Sequence, residues 1–420
     1  MTALRDSHAD MRLIVPLDAE VVPRDGLVNS IQKLVAGNGL AQALQFGAVL
    51  ILSRLYLPSD FGALAKMQSL ASVLAIVATL QLHLSIPLSR SNQDVTQRVS
   101  AVETIGIAWG ALALVLSGAG FGAVALAIVL ALILGAANTF GSVLVFRGNF
   151  TALSLFSVLR ATLTITLQLV CAAFGVKHGL LIGAFAGESL SALLMRRRAV
   201  GFLHIPAINF SRARETVRSL SAFTLFGTTQ ELISVASFYA PVFLFASVSG
   251  PAIGGQYAMA NRLVFAPVVL LSGSTAQVLY HRFGKDSQAG VRALKFLRPN
   301  AWLAGAFVAC CAAPFFLEDV FLRVLGAKWV LASHLIPMQV LWGAVFLLST
   351  PARVLCRMKQ MQRVQMSVDA AALAAIGLAF VCYPTTPSGT MWRLVSVAVT
   401  QNTVLVVAVL SALRAPLKGG

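Results

Sequence analysis

Apolar runs of about 20 residues, the length that crosses a bilayer core, recur from one end of this chain to the other. Twelve of them stand near 34–54, 61–86, 100–118, 121–146, 150–174, 178–195, 219–245, 253–280, 300–320, 331–355, 365–383 and 390–413. Each is too long for a barrel strand and lacks the alternation of apolar and polar positions that an outer-membrane barrel needs, so each predicts a helix. The pattern predicts an all-α polytopic membrane protein of about 12 transmembrane helices. Composition agrees, with 58% hydrophobic and 11% charged residues and a mean hydropathy of +0.82, outside the range of soluble domains.

The longest polar interruption, "MRRRAVGFLHIPAINFSRARETVRS" at 195–219, divides the runs six and six. The expected organisation is an N-terminal tail (1–33), a first lobe (34–195), a basic linker (196–218), a second lobe (219–413) and a short C-terminus (414–420), with a central cavity between the lobes. The tail mixes acidic and basic residues without an apolar core, which is not the pattern of a secretory signal peptide. Sliding the second half by 193 residues sets "PSDFGALA" (58–65) on "PAIGGQYA" (251–258), with Pro58 on Pro251 and Gly62 on Gly255. Both stretches join the first and second runs of their half, as an internal duplication requires. GxxxG spacings at Gly106/Gly110, Gly118/Gly122 and Gly183/Gly187, and "GNG" at 37–39, read as close helix contacts.

A net charge of +17 changes the picture only once the charges are placed. The tail, the even-numbered connections and the C-terminus hold 24 of the 32 Lys and Arg residues, and the odd connections hold Arg54, Lys177, Arg323, Lys328 and Arg393. That asymmetry places both termini in the cytoplasm of a bacterial inner membrane, with anionic headgroups rather than nucleic acid as the neighbours of the basic surface. No GxxxxGK[ST] occurs, so no built-in ATPase is expected. Cys171, Cys310, Cys311, Cys356 and Cys382 all fall in or beside apolar runs without metal-ligand spacing, and read as packing residues. No cofactor and no metal are expected, and the external connections are too short to house an enzyme's catalytic acid and acceptor.

The candidates for chemistry are ionisable residues inside the runs, each costing roughly 2.5–3.5 kcal/mol at the bilayer centre on insertion scales. Lys66, Arg160 and Arg262, with Arg54 at the end of the first run, predict a cationic cavity that binds an anion. The bland readings are outward snorkelling for Lys66 and an interfacial place for Arg54. Glu188, Glu231 and Asp369 are either salt-bridge partners for these cations or sites for a coupling ion, H+ or Na+. An Arg fork suits phosphate or carboxylate oxygens, and a cation exporter would need the opposite sign.

Three blocks carry a resemblance. "GNGLAQALQFGAVLILSRLYLPSDFGALA" (37–65), "GGQYAMANRLVFAPVVLLSGSTAQVLYHR" (254–282) and "LGAKWVLASHLIPMQVLWGAVFLLSTPARVL" (325–355) resemble the Wzx-type oligosaccharide flippases of the multidrug/oligosaccharidyl-lipid/polysaccharide exporter superfamily. They cover about a quarter of the chain. The resemblance implies a carrier that moves undecaprenyl-pyrophosphate-linked oligosaccharide between leaflets by alternating access, for exopolysaccharide, capsule or O-antigen. It also implies a polysaccharide polymerase and chain-length machinery as partners. Rival readings are a drug or small-solute exporter of the same fold, a polysaccharide polymerase or glycosyltransferase, and a non-transporting scaffold.

Overall fold

The computed structural model describes residues 27–200, 208–285, 318–358, 361–381 and 386–414, with isolated positions between 301 and 309. The tail to residue 26, Cys310, Cys311, Cys382 and most of the ninth run lie outside the described residues. Thirteen α-helices and no strands appear among them: α1 (Leu27–Leu55), α2 (Pro58–Thr79), α3 (Asn92–Gly118), α4 (Gly122–Phe146), α5 (Phe150–Ala173), α6 (Gly179–Val200) and α7 (Phe210–Ser219). The second half adds α8 (Ser221–Val248), α9 (Pro251–Lys285), α10 (Glu318–Leu325), α11 (Val330–Met358), α12 (Gln362–Val381) and α13 (Pro387–Arg414). Ten of these are long and apolar enough to cross a membrane. The eighth run forms α9, whose Gln, Asn, Arg and Ser interrupt its apolar sequence; it is not among those ten.

Helix ends follow local chemistry. Pro58 opens α2 and the Asp60 carboxylate accepts from the Leu57 amide at 3.0 Å, so the helix starts where a missing Pro donor is harmless. Ser91, Asn149 and Asn209 cap α3, α5 and α7 by accepting the amides of Asp94, Ala152 and Arg212. The second run ends earlier than its apolarity predicts, at Thr79 rather than near 86. Leu80 and Gln81 take left-handed backbone angles there, and 82–88 form a 3₁₀ turn. The third helix begins at Asn92, not near 100, because Ser91 supplies the cap. The basic linker contains α7, whose Ala213 and Val217 pack on Ala101, Val102 and Ile105 of α3.

The helices assemble as two lobes. In the first, α5 packs on α1 and α6, and α4 packs on α2, α3 and α6; in the second, α11 packs on α9 and α13, and α12 on α8 and α13. The lobes meet where α2 touches α8 and α9, and where α1 touches α9 and α10. The largest buried cluster straddles this seam, joining Phe61 and Leu64 of α2 to Phe245, Tyr257 and Trp329. Phe61 meets Trp329 edge-on at 5.2 Å and Phe245 stacks on Tyr257 at 4.6 Å. Such ring pairs add about 0.5–1.5 kcal/mol beyond their burial.

Candidate functional site

At one end of the seam the lobes touch backbone to backbone. A Cβ on Gly62 would overlap the Pro251 carbonyl, and a Cβ on Gly255 would overlap the Pro58 carbonyl. These are the four residues that the 193-residue offset pairs, so the sequence repeat is a structural two-fold whose related elements contact each other. Only glycine permits that approach.

Helix ends close the same face reciprocally. The last turn of α1 leaves carbonyls without helical donors; Lys328 Nζ donates to that of Arg54 (3.1 Å) and, just past the helix, to that of Tyr56 (2.7 Å), and Trp329 Nε1 donates to that of Ser53 (3.0 Å). In return Arg54 Nε donates to the Val324 carbonyl at 2.9 Å, and its NH2 group to that of Arg323, in the last turn of α10. Each lobe therefore supplies a cation to the negative end of the other lobe's helix. Gln256 completes the set, donating to the Lys328 carbonyl and accepting the Ala332 amide. The Tyr56 hydroxyl, outside the spans, donates to the Gln168 carbonyl, and burial pushes its pKa up.

Behind this seal a cavity of about 380 Å³ lies between the lobes, lined by Gln42, Gln45, Gln68, Arg160, Gln168, Glu188, Tyr239, Asn261 and Arg262. A second space of about 800 Å³ adjoins it, sharing Gln42, Gln45, Arg160 and Val269, and reaches the other end of the bundle through Asn38, His83, Asn138 and Ser142. His83, in the 3₁₀ turn outside the spans, is pushed down to about 4 by burial, so it is neutral near pH 7. Among the described residues, the fixed charges of the two spaces are Arg160, Arg262 and Glu188, a net positive set.

Arg160 and Glu188 pair at 2.6 Å, with the arginine side chain 39% exposed and the glutamate 11%. The exposed guanidinium keeps donors turned to the cavity. Arg262 is half-buried and crosses the seam: its NH2 group donates to Gln68 Oε1 at 2.9 Å and its guanidinium lies 5.7 Å from the Phe61 ring centre. The buried Thr164 hydroxyl on the same wall has no hydrogen-bond partner among the described residues.

Of the cations singled out in the sequence, Arg160 and Arg262 therefore share the cavity. Lys66 and Arg54 are not among its lining residues. Lys66 is exposed on α2 with its ammonium 5.7 Å from the Phe243 ring, and Arg54 belongs to the seal. Asp369 is buried in the second lobe, away from both spaces, where Gln401 donates to Oδ1 at 2.7 Å and Arg353 stands 3.9 Å away. Its Oδ2 has no hydrogen-bond partner among the described residues, and Ser237 donates to its carbonyl. Glu231 is half-buried on α8, six residues before Ser237.

Sequence reasoning passed over Arg353, counted among the loop charges although it sits inside α11. It also passed over the uncharged polar wall of Gln42, Gln45, Gln68 and Asn261. Three glutamines within two apolar runs were the available signal, because an amide in hydrocarbon also needs a partner.

No protein-family model matches the sequence, and no curated protein matches it. Solved structures do match. The lipid II flippase MurJ, in an inward closed conformation, aligns with a TM-score of 0.70 at 11% identity over 90% of this chain and 87% of its own. An inward-facing multidrug resistance MATE family transporter of the MOP superfamily aligns with a TM-score of 0.61 at 14% identity, over 91% of this chain and 96% of its own. The outward-facing conformation of a MATE transporter aligns with a TM-score of 0.60 at 15% identity, over 93% and 97%. This chain has the two-lobe, all-helical membrane fold that a lipid flippase and drug exporters of that superfamily share.

Proposed function

We propose that this protein is an alternating-access carrier that moves an anionic lipid-linked oligosaccharide, of the undecaprenyl-pyrophosphate class, across the bacterial inner membrane for surface polysaccharide assembly. The observation that carries the reading is the asymmetry of the seam. One end is sealed by glycine contacts and reciprocal caps; the other leads into a polar cavity with two arginines. On the positive-inside rule the open end, which bears Arg196, Arg197 and Arg198, faces the cytoplasm, so the cavity receives substrate from there.

Diphosphate and sugar hydroxyls would each lose several kcal/mol in hydrocarbon if unpaired. Arg160 and Arg262 offer diphosphate planar forks, while Gln42, Gln45, Gln68 and Asn261 offer sugars both donors and acceptors. The lipid tail stays in the bilayer. Binding favours release of the seal only through a differential affinity for the two lobe arrangements. Arg262 is suited to supply it, since an anion that takes its guanidinium competes with Gln68 of the opposite lobe. Asp369, Glu188 and Glu231 are the proposed sites for a coupling H+ or Na+, with Asp369 Oδ2 a buried carboxylate oxygen without a hydrogen bond among the described residues. The reaction is transport, and the polymerase and chain-length machinery act downstream.

A second reading rests on size. A cavity of about 380 Å³ suits an organic anion as well as part of an oligosaccharide, so a small-solute exporter is the alternative. One experiment separates them: leaflet distribution of undecaprenyl-linked oligosaccharide in cells with and without the protein, read with a membrane-impermeant sugar probe. Accumulation on the cytoplasmic leaflet in its absence supports the flippase. Unchanged distribution overturns it in favour of the exporter, and exposed single units with failed chain growth overturn it in favour of a polymerase.

A further inference from the structure

A third space, about 1310 Å³, opens on the first lobe between α3 and α4. Its walls are Ile107, Leu114 and Val115 of α3 and Leu132, Ala136 and Phe140 of α4. It shares no lining residue with the two seam spaces. Helix α4 divides them: Leu132, Gly135, Ala136, Thr139 and Phe140 face the groove, and Ala137, Asn138, Gly141, Ser142 and Val145 face the seam.

Absent side chains keep the groove open. Cβ atoms on Gly106 and Gly110 would meet only Leu132, at 3.6 and 3.9 Å, which is ordinary contact. This GxxxG is thus not a close helix contact, unlike Gly183 and Gly187, whose Cβ atoms would press on the backbone of Gln168 and Thr164 at 2.5–2.8 Å.

The groove has one charged end. Arg196 lines it, holding Glu103 Oε1 through Nε and NH2 at 3.2 and 3.1 Å and lying 5.9 Å from the Phe140 ring. Arg197 and Arg198 follow it, exposed at the end of α6, and exposed Arg212 lies on α7, which packs on the same end of α3, while Arg214 and Arg218 of α7 line a separate pocket with Thr224 and Thr228. Glu103 and Glu215 offset only part of that charge. An apolar trough that ends in surplus arginine complements a molecule with apolar chains and a phosphate head.

We propose that this groove is a binding site for one anionic diacyl phospholipid of the bilayer, its chains along α3 and α4 and its phosphate at the arginine cluster. The occupant is a bilayer lipid and not the carried substrate, because α4 separates the groove from the cavity that Arg160 and Arg262 line. The site stands whether or not the transport reading holds.

The test is native mass spectrometry of the full chain released from micelles containing equal phosphatidylglycerol and phosphatidylcholine, with elution volume as the folding control. One retained phosphatidylglycerol, in at least fivefold preference, is expected. Gly110→Phe, which fills the trough, should abolish retention, as should Leu114→Trp, a replacement at an exposed position; either variant suffices if the other fails to fold. Replacing Arg196, Arg197 and Arg198 together by Gln should reduce the preference about fivefold or more. Equal retention of both lipids, or retention unchanged in the filled variants, overturns the site. One-for-one displacement by undecaprenyl phosphate overturns the assignment to a bilayer lipid.

Discussion

The two ends of the interlobe seam are built from opposite materials. The sealed end is backbone against backbone, with Gly62 on Pro251 and Gly255 on Pro58, aromatic rings behind them and cations spent on helix carbonyls. The open end is side chains around space, with amides and guanidinium groups facing a cavity. A seal held by short polar contacts and a close glycine fit would give way as a unit in the proposed carrier cycle, touching or apart. On the proposed carrier reading the roles separate: the first end would decide which face is shut, and the second what is bound.

The largest effect should come from Gly62→Leu or Gly255→Leu. Neither side chain fits while the lobes touch, so the sealed end is forced apart, and transport should fall at least tenfold with protein abundance unchanged. An impermeant thiol reagent applied from the normally sealed side should then reach the cavity without substrate. Next is Arg262→Gln, which removes the charged donor proposed to meet the substrate anion, a charge-assisted hydrogen bond worth roughly 1.5–3 kcal/mol, and should weaken substrate binding roughly ten- to a hundredfold. Arg262→Lys should fall between wild type and Gln, because charge survives and the fork does not. Arg54→Gln removes a charge from the end of α10 but leaves Lys328 and the glycines, so leak from the sealed side should rise only about two- to fivefold. The smallest effect is expected at Lys66→Gln, where an exposed cation over Phe243 contributes about 0.5–1 kcal/mol. A loss as large as that of Arg262→Gln would return Lys66 to the cavity and break the comparison.

Several of these residues were legible from the chain alone, and the reason is the bilayer. Hydrocarbon makes every intramembrane charge expensive, so Arg160, Arg262, Glu188 and Asp369 stood out in the sequence. The lobes likewise followed from hydropathy and one repeat. What sequence could not supply was direction around each helix. Lys66 and Gln68 are two residues apart on α2, yet Gln68 meets Arg262 at the cavity and Lys66 points to Phe243. Spacing also failed to separate tight from open glycines. Gly183/Gly187 pack on α5, Gly106/Gly110 line a groove, and Gly118 and Gly122 have nothing within 4 Å of an added Cβ. The Pro58/Pro251 and Gly62/Gly255 matches were visible as a repeat, but not as the point where its two copies touch.

The most direct test is side-specific access to the cavity. Gln45→Cys, in a background with the five native cysteines replaced, is reconstituted in one orientation and treated with an impermeant thiol reagent from each face, with and without lipid-linked oligosaccharide. The account predicts labelling from the basic face alone at rest and from both faces during turnover. Equal labelling from both faces at rest, or none from the sealed face during turnover, would contradict it.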